Sequence, residues 1–450
     1  MQGFKPIFAN MSATSLSIEQ ILANLKIAAL NEMQLASLEA SKSNAGMVLL
    51  SDTGSGKTLA FLLPLLGELD MVAEGTQAII IVPSRELALQ IEQVFKSMGT
   101  GLKITACYGG HLRETEENNL VEPPAIIVGT PGRIADHLRR GNITADSIRM
   151  MVLDEFDKSL ELGFEAEISF IIASFRNITR RILTSATQGV DIPSYVGLDK
   201  PARLEYLSGE TSASLAIQVV KSDEKDKSNT LLRLLCMLGN RSAIVFCNHR
   251  ESVKRVSNIL KEKGIVNVFY HGALEQPERD AALCKFRNGS SDVLVTTDLA
   301  SRGLDIPNIR YIIHYHLPVS EEAFIHRNGR TARMDASGTA ILILGPDEIL
   351  PDYLQGEPEL ITLPAEQVLP DKPKWSTLFL AAGKKDKVNK VDIVGFLTNK
   401  AQLKKEEIGF IEVKDFFSFV AVRKSKVGQI LELIKNEKIK NRKVKIDLAR

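Results

Sequence analysis

The chain has 450 residues, an apolar content of 44% and a charged content of 25%, which are ordinary values for a globular protein of roughly two to four domains. Its apolar runs are far too short to span a bilayer and its first thirty residues contain no secretory signal, which argues against a membrane-spanning or exported protein and predicts a cytoplasmic one. The net charge is only +1, but residues 371–450 contain 20 lysines and arginines against 10 acidic residues, so this tail carries +10 and the rest of the chain −9.

Two successive stretches alternate short β-branched runs with helical segments. The apolar runs of the first stretch are residues 48–50, 78–82, 125–128 and 150–153, and those of the second are residues 243–246, 293–296 and 311–314. Because strands buried on both faces are continuously apolar, each stretch predicts an α/β domain with a parallel sheet wrapped by helices. A polar segment near residues 206–213 separates them, so we assign residues 1–207 and 208–350 to two tandem domains.

A phosphate-binding loop is predicted at residues 51–58, which follow an apolar strand and open an apolar helix. The small residues of this loop let backbone N–H groups surround a phosphate chain at the helix N-terminus; they are Thr53, Gly54, Ser55 and Gly56. Lys57 would reach the β- and γ-phosphates and the Thr58 hydroxyl would bind Mg²⁺. The strict pattern has glycine where Ser51 stands, and a plain glycine/serine turn before a helix is the alternative.

Acidic residues follow the apolar strand at residues 150–153, and ligands of parallel sheets gather at that edge. Asp154 would hold Mg²⁺ and Glu155 would orient and deprotonate the attacking water. In isolation such a pair is more often a solvated turn, and it is the phosphate loop upstream that favours the catalytic interpretation.

Three arginines at spacings of three lie in the second domain, at Arg327, Arg330 and Arg333. On a helix they would share one face, as a basic helix surface does. Cationic groups that reach the γ-phosphate in phosphoryl-transfer enzymes often come from another domain, so the same spacing also fits arginine fingers.

The tail begins with five prolines between residues 351 and 373, which forbid a continuous helix and predict an extended linker over residues 351–376. Residues 377–450 then show a strand–helix–strand alternation of their own, which predicts a small α+β domain. The positive charge of this tail fits a polyanion partner and equally a solvated lysine-rich surface.

The order of these motifs resembles that of the DEAD-box helicases of superfamily two. The segments that carry the resemblance are 83–88, 109–110, 130–133, 154–157, 185–187, 245–248, Gln276 with Arg279, 297–306 and 326–333. The resemblance implies two RecA-like domains that close on ATP between them and on single-stranded RNA across them. Phe156 replaces the family's alanine, and we expect altered packing with activity retained.

The resemblance also assigns roles to residues. Arg330 and Arg333 match arginine fingers and join Lys57 and Glu155 as catalytic residues. Gln34 and Asp305 match adenine- and ribose-contacting positions beside the phosphate loop. Asp157, Ser185, Thr187 and His326 match positions that couple hydrolysis to unwinding. The matched RNA contacts are Arg85, Gly110, Thr130, Arg133, Gln276, Arg279, Thr297 and Arg302.

Residues 378–450 resemble the RNA-recognition-motif-like domain of the DbpA branch, through segments 387–396, 408–422 and 439–446. The first of these segments is predicted as the first strand, with Asp392 where a base-stacking aromatic usually lies. Phe417 is a candidate stacking platform or a core residue. The predicted phosphate contacts are Lys387, Lys390, Arg423 and Lys424.

The function that these features predict is an RNA-stimulated, ATP- and Mg²⁺-dependent helicase. It would act as a monomer and locally unwind or remodel a large-subunit rRNA hairpin or pre-ribosomal particle during ribosome assembly. The alternatives are a slowly hydrolysing, ATP-gated RNA clamp or assembly scaffold, and a DNA helicase of the same superfamily.

Overall fold

A computed structural model describes residues 16–449 apart from 53, 71, 111–112, 188–191, 208–214, 299–308, 330–337 and 355–357. The chain divides into two compact units, the first ending and the second beginning within the 208–214 segment. Among the residues described, no helix is both long and apolar enough to cross a membrane.

The first unit is built on a seven-stranded parallel sheet with strand order β3-β4-β2-β5-β6-β1-β7. Its strands are β1 Gly46–Ser51, β2 Ala78–Ile81, β3 Ile104–Cys107, β4 Ile126–Gly129, β5 Met150–Leu153, β6 Arg180–Ser185 and β7 Ala202–Tyr206. Alternate residues of one strand enter opposite apolar layers: Ile80 packs on one face of the sheet, and Ile79 and Ile81 on the other. This two-sided burial explains why the predicted strands are continuously apolar and confirms the predicted parallel sheet.

Helices cover both faces of this sheet. They are α1 Ile18–Leu25, α2 Glu32–Ser43, α3 Lys57–Glu68, α4 Arg85–Met98, α5 Arg113–Leu120, α6 Pro131–Arg139, α7 Phe156–Glu161 and α8 Glu165–Ser174. Their ends follow ordinary capping chemistry. Ser84, for example, caps α4 by accepting a hydrogen bond from the Leu87 amide, and Gly99 ends the helix in the left-handed conformation.

The second unit contains a second seven-stranded parallel sheet, with strand order β10-β11-β9-β12-β13-β8-β14. Its strands are β8 Leu215–Lys221, β9 Ala243–Phe246, β10 Asn267–Tyr270, β11 Val293–Thr296, β12 Tyr311–His314, β13 Gly338–Leu344 and β14 Glu359–Leu360. The helices that we number here are α9 Ser228–Leu238, α10 Arg250–Glu262, α11 Gln276–Arg287 and α12 Glu321–Asn328. The predicted fold class of two RecA-like parallel sheets is therefore confirmed.

The proline-containing segment turns at residues 351–354, and its described part beyond residue 357 is fastened to the second sheet. Strand β14 of this segment pairs with β8, and the Ile361 amide donates to the Val219 carbonyl. Asn240 and the Asp371 backbone exchange two hydrogen bonds. Proline composition argues against a continuous helix, but it does not reveal which surface the backbone lies on.

The C-terminal part of the second unit has a four-stranded antiparallel sheet with strand order β16-β17-β15-β20. Its elements are β15 Trp375–Leu380, α13 Lys390–Asn399, β16 Ile408–Val413, β17 Ser418–Arg423, α14 Val427–Ile434 and β20 Ile446–Leu448, with a hairpin of β18 Lys438–Ile439 and β19 Arg442–Lys443. This confirms the predicted small α+β domain.

The predicted first strand of this domain is wrong. Residues 390–399 form helix α13, because Asn389 and Asp392 make a reciprocal capping box at its N-terminus. The first strand is β15, and it carries Phe379. The expectation that Asp392 takes the place of an aromatic residue on the sheet is therefore also wrong.

Candidate active site and RNA-binding surfaces

The strand order of the first unit separates two sets of motifs along one edge of the sheet. Strands β5, β6 and β1 are neighbours, so the acids after β5, residues 185–187 at the end of β6 and the loop after β1 lie side by side. The predicted RNA contacts instead follow the neighbouring strands β2, β3 and β4. A parallel sheet brings all these strand ends to one edge, where its ligands bind.

Side chains at the N-terminus of α2 hydrogen-bond the phosphate loop. Gln34 Nε2 donates to the Gly56 carbonyl at 3.2 Å, and Nδ2 of Asn31, the N-cap of α2, donates to the Ser55 carbonyl at 2.9 Å. Gly56 has φ 94°, and a Cβ at this position would lie 2.6 Å from Gln34 Nε2. Glycine is therefore favoured here by its backbone conformation, since the nearest atom is the end of the flexible Gln34 side chain. Gln34, predicted from the family to read adenine, supports the loop in this structure.

The Ser51 hydroxyl, at the position where the strict pattern has glycine, hydrogen-bonds the Ser55 hydroxyl and thereby closes the loop. Lys57 is buried, and its ammonium donates to the Ser51 carbonyl at 2.6 Å. Thr58 follows in the first turn of α3, and Gly54 lies in the same turn as Ser55. Thr53 lies outside the described residues.

A buried carboxylate lies beside this loop. Asp154 is 3% exposed and accepts a hydrogen bond from the Thr184 hydroxyl. Thr184 Oγ1 in turn accepts from the Glu155 amide at 3.1 Å. Burial raises the pKa of the Asp154 carboxyl, and the Thr184 hydrogen bond and the charge of Lys57 oppose that rise.

Thr184 is a site residue that the motif search missed. A signal for it exists in the strand register, because Leu183 pairs with Leu153 and so Thr184 lies beside Asp154. Glu155 has φ 48°, in the left-handed region that non-glycine residues seldom adopt. Such local backbone strain is often found at functional sites.

These residues fit a magnesium ion. Mg²⁺ prefers hard oxygen ligands, and a desolvated carboxylate gains stability from a nearby cation. The Asp154 carboxylate and the Thr58 hydroxyl are oxygen donors of this kind.

The predicted coupling residues of the first unit meet at Asp157. Its carboxylate accepts from the Thr187 hydroxyl at 3.2 Å and from the Ala186 amide at 3.3 Å, and Thr187 also contacts Ser185. A change at the acids after β5 can therefore reach residues 185–187 through direct hydrogen bonds. Phe156 is fully buried in the apolar layer beneath, so the extra bulk relative to alanine lies in the core.

The predicted RNA contacts of the first unit line a shared surface. Arg85 donates to the Gly109 carbonyl at 3.4 Å, and a Cβ on Gly110 would lie 2.3 Å from Arg85 Nη1. Thr130 and Arg133 line an open depression of about 380 Å³ together with Gly109. The sequence-predicted residues of this surface are thus brought together.

A buried carboxylate that sequence analysis missed holds Arg133 in place. Glu116 accepts from Arg133 Nη1 at 2.9 Å and from the Tyr108 amide at 2.8 Å, and it lies 2.7 Å from His137 Nε2. The other ring nitrogen of His137, Nδ1, lies 3.1 Å from Asn142 Nδ2. Only the spacing of Glu116 ahead of the 130–133 motif could have suggested it.

The second unit has its own buried ion pair. Arg327 is 1% exposed and contacts Asp298 through Nε–Oδ1 at 2.5 Å and Nη2–Oδ2 at 2.7 Å. It also donates to Asn248 and to the His316 carbonyl. The first of the three evenly spaced arginines therefore joins residues from three loops, a role that the spacing did not indicate.

Helix α12 ends at Asn328, with His326 buried in its last turn. Arg330 and Arg333 lie outside the described residues, as do Arg302 and Asp305. Their predicted roles stay predictions.

Gln276 and Arg279, two of the predicted RNA contacts, lie in the first turn of helix α11. Arg279 donates to the Leu274 carbonyl and lies over the Tyr270 ring, and the Gln276 side chain hydrogen-bonds the Asp280 carboxylate. Thr297 directly follows β11 and is buried.

In the C-terminal domain, Lys387 and Lys390 are exposed beside the β18–β19 hairpin. Lys440 donates to the Lys387 carbonyl and pairs with Asp392 at 2.9 Å. Together with further cations they form what we call the basic rim: Lys384, Lys385, Lys387, Lys390, Lys438, Lys440, Arg442 and Lys443. Of the other predicted contacts, Arg423 stacks on Trp375, Lys424 is exposed and Phe417 is partly buried.

Three family models match successive parts of the chain. Residues 31–193 match the DEAD/DEAH box helicase family, residues 226–335 the helicase conserved C-terminal domain and residues 377–448 the DbpA RNA binding domain. The chain is 33% identical to the ATP-dependent RNA helicase DbpA of Escherichia coli, covering 97% of this chain and all of that protein. It is 30% identical to DbpA of Bacillus subtilis, covering 93% of this chain and 94% of that one.

Among solved structures, the chain is similar to Saccharomyces cerevisiae Dbp5 bound to RNA and ADP BeF3. The TM-score is 0.65 at 28% identity, covering 74% of this chain and 88% of that one. The matched families span the whole set of motifs described above, from the phosphate loop to the C-terminal sheet. The chain therefore belongs to the DEAD-box ATP-dependent RNA helicases, in the branch that carries a DbpA RNA-binding domain.

Proposed function

We propose that this RNA helicase remodels large-subunit ribosomal RNA during ribosome assembly, with its C-terminal domain holding the motor near the target duplex. The observation that carries the catalytic part is the shared edge of β5, β6 and β1, which brings Glu155 and residues 185–187 beside the phosphate loop. The basic rim supports a polyanion partner for the C-terminal domain. Tethering raises the effective concentration of the motor on nearby RNA.

In the proposed reaction, Lys57 and the loop amides bind the ATP phosphates, while Glu155 orients the attacking water and accepts its proton. Asp154 and Thr58 would hold Mg²⁺, whose chemistry is to neutralise charge on the phosphate oxygens. Arg330 and Arg333 would stabilise the transition state. Asp157 would pass the outcome to Ser185 and Thr187 through the hydrogen bonds described above.

Steady-state ATPase activity tests this proposal when transcripts of large-subunit rRNA, small-subunit rRNA and single-stranded DNA are compared as activators. We expect large-subunit rRNA to stimulate at the lowest concentration. Glu155→Gln should lower the stimulated rate by about 100-fold or more, because it removes the base that activates water. Glu122→Gln, at an exposed position, is the matched control and should leave the rate unchanged.

Three outcomes would contradict parts of the proposal. Equal stimulation by both rRNAs would remove the large-subunit target, and equal stimulation by DNA would favour a DNA helicase. An ATPase that no nucleic acid stimulates and that Glu155→Gln leaves unchanged would favour the slow clamp or scaffold.

A further inference from the structure

Three side chains that can bind a metal ion meet in the interior of the first unit, beside the depression that Arg133 lines. They are Cys107 at the end of β3, Glu116 on α5 and His137 on α6, and each is at most 1% exposed. The Cys107 sulfur, a Glu116 carboxylate oxygen and a His137 ring nitrogen lie within 4.8 Å of one another. A thiol, a carboxylate and an imidazole are together a donor set that proteins use for Zn²⁺.

The Glu116 carboxylate is held by a cation that can be exchanged. Its Oε2 accepts from Arg133 Nη1 at 2.9 Å and lies 2.7 Å from His137 Nε2, while the Tyr108 amide donates to Oε1 at 2.8 Å. The carboxylate is buried, whereas the Arg133 side chain is 14% exposed and borders the open depression. If the guanidinium moved away, the buried charge would need another cation in its place. The fold itself does not depend on a metal, because this hydrogen-bonded network is complete without one.

The sulfur atom decides which cation fits. Soft thiolate and imidazole ligands select Zn²⁺, whereas Mg²⁺ prefers oxygen ligands alone. Burial raises the pKa of the Cys107 thiol, and the charge of Glu116 adds to that rise, so the thiol keeps its proton until a cation binds. A coordinating cation deprotonates a thiol outright.

The imidazole has a partner that can fix its orientation. His137 would bind the ion through Nε2, the nitrogen that faces Glu116, and would then carry its proton on Nδ1. Nδ1 lies 3.1 Å from the Asn142 side-chain amide, whose oxygen accepts that proton once the amide group is rotated. A metal-binding histidine usually donates through its other ring nitrogen in this way.

We propose that Cys107, Glu116 and His137 bind Zn²⁺ and that the ion competes with Arg133 for the Glu116 carboxylate. Bonds form from Zn²⁺ to the sulfur, to Oε2 and to Nε2, the thiol proton passes to solvent, and the Arg133 guanidinium leaves Oε2. Water from the adjoining depression takes the fourth position. Because Arg133 is a predicted RNA contact, Zn²⁺ and RNA weaken each other's binding. The metal site does not depend on the proposed function, whereas its competition with RNA rests on it.

Cobalt(II) titrated into the full chain tests the site, because Co²⁺ can take the place of Zn²⁺ and a cobalt–thiolate bond gives a charge-transfer band in the near ultraviolet. We expect a band that saturates when each chain holds a single ion and that added Zn²⁺ removes. Cys107→Ala should abolish the band, and His137→Gln should weaken cobalt binding by about tenfold or more. Cys247→Ala, at a cysteine buried in the apolar core of the second α/β domain, is the matched control and should leave the band unchanged.

Thermal unfolding checks that each variant is folded, and His137→Gln decides the test if Cys107→Ala does not fold. The absence of a charge-transfer band in the parent chain would overturn the proposal. A band that persists in Cys107→Ala, or a cobalt affinity that His137→Gln leaves unaltered, would overturn it as well.

Affinity for single-stranded RNA, measured with nucleotide and excess Mg²⁺, tests the competition with Arg133. Zn²⁺ should weaken RNA binding by the parent chain about fivefold or more. Cys107→Ala has the same ATP site and should not respond to Zn²⁺, while without Zn²⁺ the two chains should bind RNA equally. A failure of the proposed function would therefore appear in both chains. A cobalt band accompanied by an RNA affinity that Zn²⁺ leaves unchanged, or an equal response in Cys107→Ala, would refute the competition.

Discussion

At the scale of single residues, side chains just outside the recognised motifs hold motif residues in place through hydrogen bonds and ion pairs. Thr184 and Glu116 each bond to a charged motif residue, Asp154 or Arg133, and so offset part of the desolvation cost of burying it. Motif searches find groups that touch the ligands. Groups that hold those residues in place become visible only when strand register and burial are known.

Thr184 gives the clearest test of such a positioning role. Thr184→Val keeps the shape but removes the hydroxyl that donates to Asp154, so we expect the RNA-stimulated ATPase rate to fall about tenfold, the value of one hydrogen bond of about 1.4 kcal/mol. Thr184→Ser restores the hydroxyl and should recover most of the rate. Steady-state kinetics with thermal unfolding as a folding control measure both variants. A serine variant as impaired as the valine variant would contradict the assignment.

At the scale of elements, the two α/β sheets were predictable because their strands are buried on both faces and leave a continuous apolar signature, as at residues 78–81. The C-terminal sheet was harder to predict, because its first strand directly follows the prolines and mixes polar with apolar residues. Local capping chemistry at Asn389 and Asp392 favours a helix over the strand predicted from resemblance. The packing of α11 against this sheet, where Ala281 and Cys284 contact Phe419, could not be predicted, because small residues at helical spacing have no motif character.

Two buried histidines, one at the end of strand β12 and one just beyond it, make the stability of the fold sensitive to acid. Burial, together with the charge of Arg327, lowers the pKa of His314 to about 3, and burial lowers the pKa of His316, two residues beyond, to about 4. Both histidines are neutral in the folded chain but take up protons near pH 6.5 when unfolded, so the unfolded state binds more protons as the pH falls. Stability is therefore retained above about pH 6.5 and lost progressively below it.

His314 alone should account for a loss of about 2 kcal/mol at about pH 5, because its pKa differs between the folded and unfolded states. Hydrogen exchange of the peptide spanning β12, followed from pH 7.5 to 5, measures the local free energy of opening. His314→Gln should flatten this pH dependence, whereas His249→Gln, at an exposed position, should not. An unchanged slope in His314→Gln would disprove the assignment.

At the scale of the whole molecule, the excess positive charge and the ATP-binding motifs lie in different parts of the chain. The acidic majority of the chain contains the ATP-binding motifs, while the basic excess lies in residues 371–450. RNA affinity should consequently depend on salt mainly through the C-terminal domain. The sequence predicted this division from composition alone, but only the structure shows that the predicted contacts Lys387 and Lys390 join the β18–β19 hairpin in one rim.

Removing charge from the rim tests this dependence. Combining Lys384→Ala, Lys385→Ala and Lys443→Ala should weaken RNA binding and reduce the slope of log affinity against log salt by about 2, since each lost phosphate contact removes about 0.7. The control removes the same charge at Lys42, Lys96 and Lys225, which pair with surface acids in the α/β domains. Equal slopes in the two triple variants would place the phosphate contacts elsewhere.

The pairing of β14 with β8 bears on where the chain could be truncated or its C-terminal domain exchanged. Without β14, strand β8 would be the outermost strand of its sheet, with a row of free amides and carbonyls open to another molecule. The segment before the C-terminal domain thus occupies part of this edge, at Gln218 and Val219. We therefore expect a truncation placed beyond Asp371 to keep this edge paired, and one placed before Glu359 to expose it.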